Sequence, residues 1–372
     1  MFPSSAEDAD SKKCVAIKLK RAGASLFFFY VYNHPMRKLF VILVLFLGIV
    51  VVVISFSELE TIMSTLRKAH LTFFILAIIV QLIWLLITGR MYQSVYHLLG
   101  LDESVTTLSR IAAAANFINI VAPTAGVGGI ALFAAEARRS GHSSGKVTVA
   151  AALFLVLDQA AFLVVLSLGL IVLVRRGNLG TGEISATLIL LGIAIASAFV
   201  LYLGYRSEEK LGNLLAKVAR GINRFVRLFR KQEYLSEARA HEFAHEVSEG
   251  FSGLTEQSSS LVRPVLWGIL DKTLLMCVLV FAFLSFEVPF SAGTIIAGFS
   301  ITYLFLIVSP TPSGIGIVEG LMPVALSTLH VDWSQAVVIT LTYRTVTFWM
   351  PFGIGALAFR SLHAGEEEPS AI

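Results

Sequence analysis

Long apolar runs alternate with short polar segments along the chain. The first run, LFVILVLFLGIVVVVISF at 39–56, contains no charged side chain. Because a helix needs roughly 20 apolar residues to cross a bilayer, runs of this kind predict membrane-spanning helices. The predicted spans cover residues 39–56, 71–88, 147–174, 184–203, 264–286 and 335–358. We therefore expect an all-α polytopic membrane protein with about six transmembrane helices.

Two further apolar runs, 108–122 and 295–309, lead into segments rich in proline and glycine. Proline removes a backbone donor and glycine loosens the chain, so each helix should break there. The piece after the first break is too short and too charged to cross a bilayer. We expect two re-entrant helical hairpins, which a membrane tolerates only where the backbone is buried in protein or lines a wet cavity. The predicted turn residues are Pro123, Thr124, Gly126, Gly128, Gly129, Pro310, Pro312, Gly314 and Gly316.

The two breaks resemble each other. VAPT at 121–124 matches VSPT at 308–311, and Asp158 and Arg344 follow the two breaks at nearly equal distances. Three predicted spans separate the hairpins, and an odd number places the second hairpin on the opposite face. The two halves, about 105–175 and 291–358, therefore predict an inverted repeat, a plan in which transporters bind substrate near the membrane midplane.

The composition indicates lipid as the solvent. Hydrophobic residues make up 56% of the chain and charged residues only 15%, with a mean hydropathy of +0.79. A soluble domain is about one quarter charged, so these values exclude a disordered chain and a nucleic-acid binder of the usual basic type. Cys14 lies in a Lys-rich segment and Cys277 in an apolar run, so neither a disulfide nor a metal cluster is expected.

The basic residues predict an orientation. Lys and Arg accumulate in cytoplasmic loops. With the N-terminus inside, a large majority of the 29 Lys and Arg residues fall on the inner side, and the pair Arg175-Arg176 is the awkward exception. We expect a basic cytoplasmic segment at 1–38, a membrane domain at 39–360 and a cytoplasmic tail at 361–372. The membrane domain is expected to lie in the bacterial inner membrane.

The longest polar stretch, 205–262, predicts an amphipathic cytoplasmic loop. A leucine-rich stripe along its first half is surrounded by basic side chains. This pattern is typical of a helix that lies on an anionic lipid surface, although packing beneath the bundle would produce the same stripe. The candidate membrane-surface residues are Lys217, Arg220, Arg224 and Arg227.

The second half of this loop contains the zinc-protease pattern H-E-x-x-H at 241–245. No third ligand is evident, and a closed active site needs more soluble structure than the loop supplies. A solvated helix face is the better interpretation, and a membrane zinc protease that uses His241 and His245 is kept as an alternative. We expect no metal, no cofactor and no enzymatic activity.

Asp158 and Arg344 are the candidate binding residues, because ionised groups within a membrane are costly and usually functional. Arg344 would hold a lipid phosphate by paired hydrogen bonds. Asp158 would hold a cationic or hydroxyl-bearing head group, or take up a proton. The alternative is that the two side chains only pair with each other.

Other polar residues are open to two interpretations. Glu319 follows Gly316 closely, which favours a helix-start stabiliser over a ligand, and Glu136 lies close enough to pair with Arg139. Asn116 and Asn119 share a helix face, on which they would line a cavity or bond another helix.

Two further candidate features are the backbone amides at two helix starts and a pair of neighbouring charged residues. Helices that start near Gly129 and Gly316 would offer free amides to a phosphate, or would only allow close packing. Asp271 and Lys272 are neighbours on one span, so we expect that they do not face each other, that Lys272 snorkels and that their role is structural.

The segment PTPSGIGIVE at 310–319, followed by Arg344, resembles the lysylphosphatidylglycerol synthase transmembrane-region family, whose domains are flippase-like. The stretch 122–141 and Asp158 resemble the first half of that family, and the resemblance covers roughly residues 35–360. Ser313 stands where a glycine is common in such motifs. No soluble synthase domain is evident after residue 360, so aminoacyl transfer is not expected. The resemblance implies movement of a polar lipid between leaflets.

The expected function is therefore that of a flippase that moves a polar, phosphate-bearing lipid between the leaflets of the plasma membrane. The expected partners are membrane lipids, either an anionic or aminoacylated phospholipid or another polar lipid, and not nucleic acid. A separate lipid-synthesising enzyme and a second copy of the chain are further candidate partners. The alternatives are transport of a small soluble anion through the same site, and a scaffold for a separate synthase.

Overall fold

The computed structural model describes residues 69–121, 127–177, 180–227, 244–245, 247–248, 261–309 and 311–364. Within these ranges all regular secondary structure is helical and no strand occurs. This confirms the all-α prediction. The predicted span at 39–56 lies outside the described residues.

The first group of helices covers the predicted first half and the start of the polar loop. Its members are α1 (Leu71–Leu98), α2 (Val105–Val121), α3 (Val127–Arg139), α4 (Ser144–Arg176), α5 (Thr181–Arg206) and α6 (Glu208–Arg227). Helix α4 ends at Gly177, whose left-handed backbone (φ 68°) lets its N–H bond to the carbonyl of Val174. Glycine is the residue best suited to that conformation at a helix end.

The second group covers the predicted second half. Its members are α7 (Val262–Ser285), α8 (Ala292–Val308), α9 (Ile317–Thr328), α10 (Trp333–Arg344) and α11 (Met350–Ala364). A 3-10 turn, Pro312–Gly314, lies between α8 and α9. A π-helical turn, Thr345–Trp349, joins α10 directly to α11.

Four of the described helices are long and apolar enough to cross a membrane: Leu71–Leu98, Gly145–Arg176, Thr181–Arg206 and Val262–Ser285. They correspond to four of the six predicted spans. The predicted span 335–358 corresponds to α10, the π turn and α11 taken together. Helices α2, α8 and α9 are apolar but shorter, as the two predicted breaks require.

The two halves repeat the same order of elements. Helices α2 and α8 are both 17 residues long. The same number of residues separates the end of α1 from the start of α2 as separates the end of α7 from the start of α8. Each pair of short helices is then followed by a long helical stretch, α4 in one half and α10–α11 in the other.

Packing between the halves is also repeated. Helix α1 lies along α7, α4 packs against α8, and α11 packs against α2. Gly169 of α4 meets Ser300 of α8, while Gly355 of α11 meets the backbone of Ala113 in α2. Ala113 and Ser300 occupy the same position in their 17-residue helices. Small residues at such crossings let membrane helices approach closely, which replaces the hydrophobic driving force that lipid cannot supply.

Two apolar clusters enclose the short helices. One contains Met91, Leu108, Phe133 and Val147 and surrounds α2 and α3. The other is centred on residues of α4, α7, α8, α9 and α10, among them Phe299. The large exposed apolar side chains lie mainly on α1, α4 and α5, which is the pattern expected of a surface in contact with lipid.

Candidate functional site

The second turn is held by left-handed backbone and by one carboxylate. Ser313, Gly314 and Gly316 have φ of 50°, 69° and 80°, a region that glycine adopts without a steric penalty. The N–H of Gly316 donates to Oε2 of Glu319 over 2.7 Å. Glu319 thus satisfies an amide at the start of α9, in the helix-start role that the sequence favoured. Pro310 lies outside the described residues.

Arg344 is tied to the same turn. Its Nε donates to Oε1 of Glu319 over 2.6 Å, and its Nη2 donates to the carbonyl of Ser313 over 3.1 Å. The guanidinium also lies over the ring of Phe348, 4.4 Å from the ring centre. Arg344 is only 3% exposed. We refer to Arg344, Glu319 and the Ser313 carbonyl as the turn clamp.

Next to the first predicted break, the described contact uses a side-chain amide instead of a carboxylate. The N–H of Gly129 donates to Oδ1 of Asn119 over 2.9 Å. A Cβ at Gly129 would meet the Asn119 side-chain nitrogen at 2.8 Å, so this contact requires glycine. Gly128 belongs to the same turn of α3, whereas Pro123, Thr124 and Gly126 lie outside the described residues.

Lys272 is the centre of a second buried group of charges. Its Nζ donates to Asp158 Oδ1 at 2.6 Å, to Asp271 Oδ2 at 3.0 Å and to the hydroxyl of Tyr303 at 2.8 Å. An ammonium has three donors, and all three are used. Asp271 accepts a further bond from Thr88 Oγ1 over 2.8 Å. We call these five residues the lysine cluster.

Two expectations about this cluster were wrong. Asp271 and Lys272 do meet, although they are adjacent on one helix, because the long lysine stem can fold back to the neighbouring carboxylate. Lys272 does not snorkel, since its side chain is only 2% exposed. Partners from α4, α7 and α8 satisfy its three donors inside the bundle, so the side chain does not need to reach the membrane surface. Asp158 therefore pairs with Lys272 and Arg344 with Glu319, and the two candidates do not pair with each other.

A cavity of about 200 Å³ lies beside the lysine cluster. All five cluster residues contribute to its wall, together with Asn116 and Asn119 of α2, whose spacing predicted a shared face. Aromatic and apolar side chains complete it; they include Trp84, Tyr92, Phe154 and Met350. Residues from both halves of the chain thus enclose one space.

The cluster carries a charge imbalance. Two carboxylates, Asp158 and Asp271, face one ammonium. Asp158 is the more accessible of the two, with 21% of its side chain exposed against 4% for Asp271. A group in the cavity would therefore meet the carboxyl group of Asp158 first.

Three predicted site residues lie away from this wall. Arg344 and Glu319 form the turn clamp, and neither lines the cavity. Glu136 pairs with Arg139 at 3.2 Å, as its spacing suggested, and Arg139 also donates to the carbonyl of Leu362.

Sequence reasoning missed several cavity residues, namely Gln81, Trp84, Thr88 and Tyr303, and it gave Lys272 only a structural role. A signal was present for three of them, because 81, 84 and 88 follow the helical period within an otherwise apolar run. Tyr303 carried no comparable signal, since aromatic residues are common in apolar helices.

The amphipathic loop forms a helix where it is described. Leu211 on the apolar stripe of α6 is fully buried, while Lys217 and Arg220 are exposed. Arg224 and Arg227 belong to α6, but their side chains lie outside the description. His245 binds Glu208 at 3.0 Å, and His241 and Glu242 lie outside the described residues. Among the residues that are described, no three His, Cys, Asp or Glu side chains form a group suited to a metal.

Comparison with known proteins agrees with a membrane protein. A relative from Methanothermobacter thermautotrophicus, named UPF0104 membrane protein, is 25% identical over 329 residues, which cover 88% of this chain and 95% of the relative. A sequence model of the family described as lysylphosphatidylglycerol synthase TM region matches residues 39–355. That match includes both turns, the lysine cluster and the cavity. The chain therefore belongs to the lysylphosphatidylglycerol synthase TM region family.

Proposed function

We propose that this membrane protein moves a polar lipid between the leaflets of the plasma membrane. The head group would enter the cavity beside the lysine cluster, while the acyl chains remain in the bilayer. The observation that carries the proposal is the cavity itself: an otherwise apolar helical protein places a lysine, two aspartates and two asparagines around one space. Charges at membrane depth are retained where they serve a substrate or ion pathway.

The transport mechanism that we infer is alternating access between two inverted halves. The proposed topology has six crossings, two oppositely oriented re-entrant hairpins, and both termini in the cytoplasm. It is supported by the equal lengths of α2 and α8 and by the repeated contacts of Gly169 with Ser300 and of Gly355 with Ala113. Halves related in this way can rock about a site at their interface. No covalent step is part of the proposal.

The two charged groups take different roles in this scheme. Asp158 is the head-group residue, because it is the accessible carboxylate of the cavity wall. Arg344 and Glu319 position the second turn, and phosphate binding by Arg344 would require its bonds to Glu319 and Ser313 to break. The excess carboxylate in the cavity also disfavours a small soluble anion as the substrate.

The test is a leaflet-exposure assay in vesicles that contain the purified protein. Fluorescent and native polar lipids are placed in one leaflet, and their appearance in the other is followed over time. Asp158→Asn should lower the rate to the protein-free background, because the amide keeps the shape but removes the charge that faces the cavity.

Gln159→Leu is the matched control, because Gln159 neighbours Asp158 on α4 and does not line the cavity. It should move lipid at the wild-type rate. A wild-type protein that moves no lipid contradicts the proposed function. An Asp158→Asn variant that folds and moves lipid normally contradicts the proposed site.

A further inference from the structure

Two side chains in the cavity wall have polar atoms without partners. Gln81 is 1% exposed, and neither its amide nitrogen nor its amide oxygen forms a hydrogen bond with any described residue. The indole N–H of Trp84 is also buried and has no hydrogen-bond partner among the described residues. An unsatisfied buried polar group is costly, so such groups are rare in folded proteins and call for an explanation.

These two residues belong to a continuous polar row. Gln81, Trp84 and Thr88 are three and four positions apart on α1, so they lie on one helix face. Thr88 bonds to Asp271 and thereby connects the row to the lysine cluster. All three residues line the same cavity. The residues that carry the unpaired groups and the lysine cluster therefore line one cavity.

The hydrogen-bonding capacity of this wall identifies a chemical class. Gln81 offers one acceptor and an NH₂ donor, and Trp84 offers a donor only. Asp158 and Asp271 add acceptors that carry excess negative charge. A bare phosphate could accept from Trp84 and Gln81 but would be repelled by the carboxylates. An ammonium could bind the carboxylates but would leave the donors of Trp84 and Gln81 unpaired.

A hydroxyl group both donates and accepts, so neighbouring hydroxyls can satisfy the whole row at once. Aromatic side chains such as Trp84 and Tyr92 add apolar surface against which a sugar or polyol ring can pack. We propose that Gln81 and Trp84 form a head-group subsite for a polyhydroxylated lipid, with a glycosyl or polyol head. This inference rests on the proposed lipid transport, and it names the class of lipid. Such a head group occurs both in glycolipids and in polyol phospholipids.

Binding is tested with the full chain in phosphatidylcholine nanodiscs, each set doped with one probe lipid. The probes are glucosyl-diacylglycerol, phosphatidylinositol, phosphatidic acid and phosphatidylethanolamine, and the readout is the rise in unfolding temperature with probe content. We expect the two hydroxyl-rich lipids to stabilise the protein, and the bare phosphate and the amine to have at most one tenth of that affinity. Stabilisation by glucosyl-diacylglycerol alone identifies the ligand as a neutral glycolipid. Stabilisation by both glucosyl-diacylglycerol and phosphatidylinositol shows that the subsite recognises the hydroxyl-rich head group, with or without a phosphate. Equal or stronger stabilisation by phosphatidic acid or phosphatidylethanolamine overturns the proposal, as does the absence of any effect of the hydroxyl-rich lipids.

Substitution of the residues with unpaired groups should leave stability without probe lipid unchanged or higher, but should weaken probe binding. Gln81→Leu removes both unpaired atoms at nearly constant volume, so the protein without probe lipid should unfold at the same or a higher temperature. The same variant, and Trp84→Phe, should weaken binding of the hydroxyl-rich probes about tenfold. Gln159→Leu is the control, since Gln159 also has an unpaired oxygen but does not line the cavity. A Gln81→Leu variant that is less stable without probe and binds as wild type overturns the proposal.

The leaflet assay with the same probes separates this inference from the proposed function. Binding of hydroxyl-rich lipids without their transfer contradicts lipid transport and leaves the subsite in place. Transfer of all four probes at equal rates, with Gln81→Leu unaffected, contradicts the subsite and leaves lipid transport in place.

Discussion

Lys272 on α7 and Arg344 on α10 are two buried cations, and their surroundings differ in one respect. In the turn clamp, the guanidinium of Arg344 contacts the Glu319 carboxylate, the Ser313 carbonyl and the Phe348 ring on different sides. Lys272 is equally buried, but its partner Asp158 remains partly exposed in the wall of a cavity. Both groups are well paired, yet only one of them has a charged face toward a space that a ligand can occupy.

This difference shows that burial of a charge in a membrane protein does not by itself identify a binding residue. A clamp that neutralises its charge internally stabilises a conformation, here the left-handed turn at Ser313 and Gly314. A cluster with unequal numbers of carboxylates and ammonium groups keeps an electrostatic preference that a substrate can use. The two roles predict different responses to substitution.

The largest effect is expected for Lys272→Met. Removal of the ammonium leaves Asp158 and Asp271 close together without their shared cation. Loss of one partner of a buried ion pair costs about 3–5 kcal/mol. Thermal unfolding in nanodiscs should show this loss, and lipid transfer should stop.

The triple variant with Asp158→Asn and Asp271→Asn should regain most of the stability, because no buried charge remains, but it should not regain transfer. A triple variant that moves lipid would show that the lysine cluster is only structural. The lysine cluster and the turn clamp would then have the same, purely structural role.

A smaller effect is expected for Arg344→Met. It leaves Glu319 without its cation, but the side chain of Glu319 is 23% exposed and still accepts from Gly316, so we expect a loss of about 2–3 kcal/mol. Addition of Glu319→Gln should recover both stability and lipid transfer, since the amide can still accept from the turn. Thermal unfolding measures the loss and recovery of stability in the single and double variants, and the leaflet assay measures their lipid transfer. If the double variant folds normally and remains inactive, Arg344 acts on the substrate directly.

The smallest effect is expected for Glu136→Gln. This residue pairs with Arg139, whose side chain is 38% exposed, so water competes for the contact. Pairs of this kind contribute at most about 0.5 kcal/mol. Unfolding temperature and lipid transfer should both equal those of wild type. A clear loss of transfer with intact folding would place Glu136 in the substrate path, as first expected.

Much of the fold followed from the sequence because lipid imposes strong rules. Four of the described helices coincide with predicted spans, and the 3-10 turn Pro312–Gly314 falls where proline and glycine interrupt an apolar run. The helix-start role of Glu319 and the pairing of Glu136 with Arg139 were also predictable, because both depend on contacts within one or two helical turns.

The site was predicted less completely, because its contacts join distant parts of the chain. Asp158 meets Lys272 across more than a hundred residues, and neither the spacing nor the composition specifies that pairing. Thr88 and Tyr303 contribute to the same cluster, but within the sequence they are ordinary residues of apolar helices. The unpaired amide of Gln81 is visible only once its neighbours are known.

The sequence by itself determined the solvent, the class of fold and the helix break at Pro312–Gly314. Each of these depends on local hydrophobicity and on the backbone chemistry of proline and glycine. The tertiary structure alone decided which carboxylate each cation binds, and hence that Asp158 lines the cavity while Arg344 closes a turn. The physical reason is that the energy of a buried charge depends on distances of a few ångströms between helices, which only their packing sets.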